Sequence, residues 1–124
     1  MAQQFSAKTV TIDEMKHIVA ESDSNAVLVD VRSKEDYANG HIPNAINVPY
    51  VEFAEAMQME PHNFATTYGF EHPTTAKSAQ KIILYCGGGT KCHKSAAIAN
   101  DFGLADKTLV YANGYREYSR LEKN

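Results

Sequence analysis

Two short apolar runs, Ala26-Val27-Leu28-Val29-Asp30-Val31 and Ile82-Ile83-Leu84-Tyr85, constrain this chain more than any other feature. Both are nearly unbroken rather than alternating and are rich in β-branched residues, the pattern of a strand buried on both faces of a parallel sheet. Such strands need helices over them, and the intervening stretches supply candidates. Thr11, with Glu14 three residues on, forms a capping box for a helix carrying Ile12, Met15, Ile18 and Val19 and ending near Ser22. Ser33 opens a short helix that Gly40 terminates, and Pro43 and Pro49 bracket a brief extended segment. Helical pieces are expected over residues 52–59 and 62–68, followed by a polar loop over 71–80. Beyond the second apolar run, an alanine-rich helix from about Lys91 is closed by Gly103. Residues 108–111 read as another strand, Lys8-Thr9-Val10 as a short edge strand, and a last helix is expected from about Tyr115. Strands separated by helices, without hairpin signals, predict an α/β fold with a parallel sheet and helices on both faces.

With 124 residues, 44% of them hydrophobic and 22% charged, the chain suits a single domain, 1–124, around one core. A net charge of −3 and the lack of a Lys/Arg-rich run argue against nucleic acid or an anionic membrane as partner, leaving small molecules and proteins. Residues 1–10 lack both the apolar core of a secretory signal and the arginines of a typical transit peptide, so a cytoplasmic address is expected, with a mitochondrial one left open. The two cysteines, Cys86 and Cys92, lie too close in sequence to staple distant parts together. Of the five histidines only His93 is near them, and Cys-x5-Cys-His matches no common structural zinc spacing; no metal and no cofactor are expected.

The second run passes straight into Cys86-Gly87-Gly88-Gly89-Thr90-Lys91. A thiol at the point where a buried strand hands over to a helix N-terminus meets converging backbone N–H groups and the positive end of a helix dipole. Both favour a thiolate over a thiol and an anionic ligand over a neutral one. Ligands of parallel sheets bind beyond the carboxyl ends of the strands, where Cys86 falls.

The order of motifs resembles the rhodanese family of sulfurtransferases over almost the whole chain. Leu28-Val29-Asp30-Val31-Arg32, then Asp36-Tyr37, Gly40-His41-Ile42-Pro43-Asn44-Ala45 and Asn47-Val48-Pro49, is similar to the family's amino-terminal signature, and Cys86-x-x-Gly89-x-Lys91 to its active-site loop. Met57-Gln58-Met59-Glu60-Pro61 and Tyr111-Ala112-Asn113-Gly114-Tyr115-Arg116-Glu117 resemble the small single-domain thiosulfate:glutathione sulfurtransferases of eukaryotes. The resemblance implies a five-stranded parallel sheet in one rhodanese-like domain. It also implies Cys86 as sulfur carrier, with Gly87, Gly88, Gly89, Thr90 and Lys91 binding a small-molecule sulfur donor such as thiosulfate. The acceptor is then a thiol such as glutathione, cyanide, or a protein. Tyr50, Tyr115 and Arg116 are placed by the same resemblance at the mouth of the pocket. The family usually carries arginine where Lys91 stands; an ammonium is a point charge rather than a bidentate fork.

Around the loop, Asp30, Arg32 and Asp36 are expected to form a buried polar bracket, with Arg32 and Asp36, four apart, able to pair. Cys92 has two readings, a small hydrophobe packed in the first helical turn or a thiol that resolves an oxidised or persulfidated Cys86. Two rivals stand beside the sulfurtransferase. A Cys-x5-Arg phosphatase or arsenate reductase wants arginine where Cys92 stands; a non-enzymatic interaction module needs no glycine loop around Cys86, whereas a sulfur relay that takes sulfur from a protein partner stays open.

Overall fold

The computed structural model describes residues 8–21, 26–74, 81–88 and 90–122. Within them run β1 (Lys8–Thr9), α1 (Ile12–Glu21), β2 (Ala26–Asp30), α2 (Lys34–Ala38), β3 (Ile46–Asn47), α3 (Tyr50–Gln58), α4 (Pro61–Tyr68), β4 (Lys81–Tyr85), α5 (Thr90–Asp101), β5 (Thr108–Tyr111) and α6 (Gly114–Glu122). The five strands form one sheet in the order β1-β5-β4-β2-β3, every pairing parallel. The expected α/β architecture is present, with the two long apolar runs adjacent at its centre and the two-residue strands at its edges.

Strand alternation divides the core. On β4, Ile82 and Leu84 join Val29, Val31, Phe53, Met57, Phe64, Cys92, Ala96 and Val110 in a cluster beneath α3, α4 and α5. Ile83 and Tyr85 point the other way, joining Met15, Leu28, Ile42, Tyr111 and Tyr118 beneath α1 and α6. Helices therefore cover both faces, and Ile82, Ile83, Leu84 and Tyr85 are all buried because β4 has no solvent side.

Local signals act where the sequence places them. Thr11 N–H donates to Glu14 Oε1 at 2.8 Å and Glu14 N–H to Thr11 Oγ1 at 3.2 Å, a complete capping box. Ser33 Oγ accepts from Asp36 N–H at 3.1 Å and starts α2. Several helices begin one or two residues before the expected point: Pro49 at the N-cap and Pro61 in the first turn, both with φ preset for the entry, advance α3 and α4 to Tyr50 and Pro61. Of the polar loop expected over 71–80, residues 75–80 lie outside the described residues, as does Ser22. The described part is not simply solvated, for His72 is buried. Its Nδ1 accepts from Thr74 N–H at 3.2 Å, which leaves Nε2–H to donate to Met57 O at 3.1 Å and tie the loop to α3.

What positions the site is the divergence of two connections. β2 leads into α2 on the α1/α6 face, whereas β4 leads into α5 on the opposite face. The register aligns Asp30 with Tyr85, so both strands end at the same level and a crevice opens where their connections part.

Candidate active site

Cys86 is the first residue beyond β4, only 4% exposed, at the floor of a cavity of about 380 Å³. Four segments make its walls: Arg32 and Asp36 from the end of β2 and α2, Gly87 and Gly88 from the loop, Thr90 and Lys91 from the first turn of α5, and Arg116 from α6. With Arg32 balanced by Asp30, Lys91 and Arg116 outweigh the one carboxylate, Asp36, and make the cavity a receptor for an anion, to which the α5 N-terminus adds the positive end of its dipole.

The loop is held from behind by α6. Tyr115 N–H donates to Cys86 O at 2.8 Å and Arg116 N–H to Gly87 O at 3.3 Å, so the first amides of α6 fix both carbonyls toward that helix. This approach requires Gly114. A Cβ there stands 2.5 Å from Cys86 O and 2.6 Å from Gly87 O, and the residue has a φ of +69°. Gly88 is under no such constraint: a Cβ there would stand 3.5 Å from the Arg116 guanidinium, an ordinary contact.

The buried bracket consists of Asp30 and Arg32. Asp30 is fully buried; Arg32 Nε reaches both its carboxylate oxygens at 3.1 Å, Nη2 reaches Oδ2 at 2.8 Å, and the Arg32 backbone N–H reaches Oδ1 at 2.8 Å. The same guanidinium donates to Gly40 O at 2.6 Å and lies over the Tyr115 ring, 4.4 Å from its centroid. Burial pulls the Arg32 pKa down, but the bond and charge of Asp30 outweigh it and the net direction is up. Breaking such a pair by removing one partner costs about 3–5 kcal/mol, because the other charge is left buried and alone. Asn47 Nδ2 clamps the strand end by donating to Asp30 O at 2.9 Å and Arg32 O at 3.0 Å. Behind them the Tyr85 hydroxyl accepts from Ile42 N–H at 3.1 Å; burial first, and the Asp30 carboxylate second, push its pKa well up.

The expected bracket is corrected at Asp36. Arg32 turns to Asp30 and not to Asp36, whose side chain is exposed at the cavity wall. The reason is topological: β2 runs to Asp30, so Asp30 and Arg32 point to the same face as next-but-one residues, while the helical turn needed for an Arg32–Asp36 pair begins only at Lys34. Gly89 lies outside the described residues. Of the three residues expected at the mouth, Arg116 lines the cavity and Tyr115 supports it through Arg32. Tyr50 lines a separate small groove of about 60 Å³ that shares Lys91. Gly114 and the Tyr85 hydroxyl do not stand out in the sequence; Asn113-Gly114 before a helix is the available signal for the first, and nothing local marks the second.

Cys92, in the first turn of α5, is fully buried in the same core cluster as Cys86. The neighbouring Cys86 first, and burial second, push its thiol pKa strongly up. Neither cysteine is in a disulfide.

The rhodanese-like domain family matches residues 11–121. This chain belongs to that family. Among the relatives of this rhodanese-like chain, a thiosulfate:glutathione sulfurtransferase of Saccharomyces cerevisiae is 34% identical over 102 residues, covering 82% of this chain and 71% of the yeast protein. The human thiosulfate:glutathione sulfurtransferase is 35% identical over 117 residues, 94% of this chain and 96% of its own. The solved structure of the human single-domain sulfurtransferase TSTD1 superposes with a TM-score of 0.79 at 35% identity, covering 96% of this chain and 99% of that one.

Proposed function

We propose that this rhodanese-like chain takes sulfane sulfur from thiosulfate, carries it as a Cys86 persulfide and delivers it to glutathione. The enzyme is a rhodanese-type sulfurtransferase, as are its relatives at 34% and 35% identity over most of both chains. The observation that carries the reading is the cavity itself, a nearly buried thiol beneath Arg32, Lys91 and Arg116. Thiosulfate is a dianion whose sulfonate suits those cations while its outer sulfur reaches the floor.

In the first half-reaction the Cys86 thiolate attacks the outer sulfur, the S–S bond of thiosulfate breaks, and its electron pair leaves with sulfite. Cys86 then holds an anionic persulfide, stabilised by the positive end of the α5 dipole and by the cations around the cavity. In the second, an incoming thiolate attacks the outer sulfur, and the pair from the Cys86 S–S bond returns to Cys86. A free thiol has a pKa of about 8.5, and the same positive surroundings favour the thiolate near neutral pH. The glutathione carboxylates suit the same cations. Cys92, standing where a Cys-x5-Arg loop carries its arginine, is buried and brings no cation to phosphate chemistry.

Two cysteines outside any disulfide suit a reducing compartment, and we place the enzyme in the cytoplasm. No helix among the described residues is long and apolar enough to cross a membrane. The test is direct. Purified protein with thiosulfate should release sulfite and gain the mass of one sulfur atom on Cys86, and glutathione should remove it. No sulfur uptake from thiosulfate overturns the donor assignment; a persulfide that only a protein thiol discharges overturns the acceptor.

A further inference from the structure

The hollow above Cys86 does not end at Arg116. The same residue lines a second groove of about 230 Å³ together with Asn113, Glu117 and Arg120, so the cavity and the groove share one guanidinium and continue along α6. Glu117 is already engaged there: its Oε1 accepts from the Tyr111 hydroxyl at 2.8 Å and its Oε2 from Asn113 Nδ2 at 3.2 Å. Arg116 and Arg120 are exposed, and among the described residues neither makes an ion pair. Four residues apart on α6, they stand on one side of the helix, a turn from each other. Two uncommitted guanidiniums thus flank a carboxylate whose oxygens both have donors.

We infer that this groove is the subsite for the glycyl carboxylate of glutathione, with Arg120 holding the carboxylate and Arg116 standing where groove and cavity join. The inference rests on the reading of glutathione as acceptor and adds which way it lies. The acceptor thiol must reach the outer sulfur on Cys86, so the rest of the peptide extends away from the cavity floor. From the cysteinyl residue to the glycyl carboxylate the chain spans at most about 7 Å, two extended residues. Arg116 and Arg120 are about 6 Å apart along the helix axis. A cysteinyl unit beside Arg116 therefore brings the terminal carboxylate within reach of Arg120, whose planar fork matches it with two parallel bonds. The other end of glutathione carries an ammonium beside its carboxylate. The exposed carboxylate that suits an ammonium, Asp36, lines the cavity and not the groove. The bare glycyl carboxylate is the end that fits two arginines. No bond is made or broken in the groove; Arg120 acts on acceptor binding alone.

The test is a single discharge. Protein persulfidated from thiosulfate and freed of excess donor is mixed with increasing glutathione, or with its glycyl monoethyl ester, and loss of the sulfur mass from Cys86 is followed. The ester keeps the thiol and the γ-glutamyl end and lacks only the charge assigned to the groove. Arg120→Gln should raise the glutathione concentration needed for half-maximal discharge by about fivefold, the upper end for an exposed ion pair. With the unaltered protein the ester should need a similar excess over glutathione, and Arg120→Gln should then add little, the non-additivity that marks two groups in contact. Arg120→Lys should recover part of the loss, a point charge replacing the fork. If Arg120→Gln affects glutathione and ester equally, or neither, the subsite is overturned while glutathione stands as acceptor. A persulfide that glutathione does not discharge at all overturns both. Failure of thiosulfate to load Cys86 overturns the donor assignment only, since inorganic polysulfide then supplies the persulfide for the same comparison.

Discussion

Lys91 brings an ammonium, not a guanidinium, to the cavity. It lines the cavity beside Thr90, exposed and free to meet an anion at the α5 N-terminus. An ammonium holds a sulfonate as a point charge, whereas a guanidinium grips it with two parallel bonds. Removing the charge altogether forfeits an interaction worth about 1.5–3 kcal/mol. Lys91→Ala should therefore raise the thiosulfate concentration needed for half-maximal sulfite release by about tenfold or more, while Lys91→Arg holds or lowers it. Equal kinetics for the two variants exclude Lys91 from donor binding. The position is legible in the sequence because it falls five residues after Cys86, within one loop. The partner of Arg32, at the same cavity, is not: its pairing depends on whether the backbone at Arg32 is already helical, and sequence separation alone does not say.

Among the elements, α6 contributes most beyond what its sequence advertises. It reads as a terminal amphipathic helix, yet its first amides fix the carbonyls of Cys86 and Gly87, and its Arg116 reaches into the cavity. Gly114 permits the approach. Two glycines with similar backbone angles separate conformation from contact. Gly69, with φ +84°, has nothing within 4 Å of the point a Cβ would occupy, whereas Gly114, with φ +69°, would set that atom 2.5 and 2.6 Å from two loop carbonyls. A left-handed conformation costs a side chain about 1 kcal/mol or somewhat more, and overpacking adds about 1–3 kcal/mol. In chemical denaturation Gly114→Ala should lose clearly more stability than Gly69→Ala, and it alone should slow persulfide formation. Equal losses with normal sulfur uptake would show that α6 does not set the loop.

Over the whole molecule, the phenols tie layers together and give the fold an alkaline limit. Burial first, and a hydrogen bond to Glu52 second, raise the Tyr68 pKa to about 12, and this bond of 3.0 Å joins α4 to α3. Tyr85 and Tyr111 are also raised, burial again being the chief cause, with Asp30 and Glu117 adding to it. An unfolded tyrosine ionises near pH 10. A folded pKa above that value means the folded state binds the proton more tightly, so the contribution is complete below about pH 10 and is lost as pH rises through the folded value. Stability by urea denaturation should fall between about pH 10 and 12, and Tyr68→Phe should fall less steeply. Parallel curves would remove Tyr68 from the account.

The sequence by itself determined the parallel sheet, since apolar runs without alternation have nowhere to go but between two layers of helix, and capping residues and prolines mark the starts of several helices. It determined Cys86 and its loop for a similar reason, because strand, thiol, glycines and helix are contiguous and their geometry is local. Only the tertiary structure decided which distant groups meet the thiol. Arg32, Arg116, Gly114 and the Asp30–Tyr85 register pair come together because parallel strands end in register and their connections part at β2 and β4. Contacts that span the chain carry no local periodicity to read. The same holds for Cys92: its place in the first helical turn was visible, but which face of α5 meets Cys86 was set by packing.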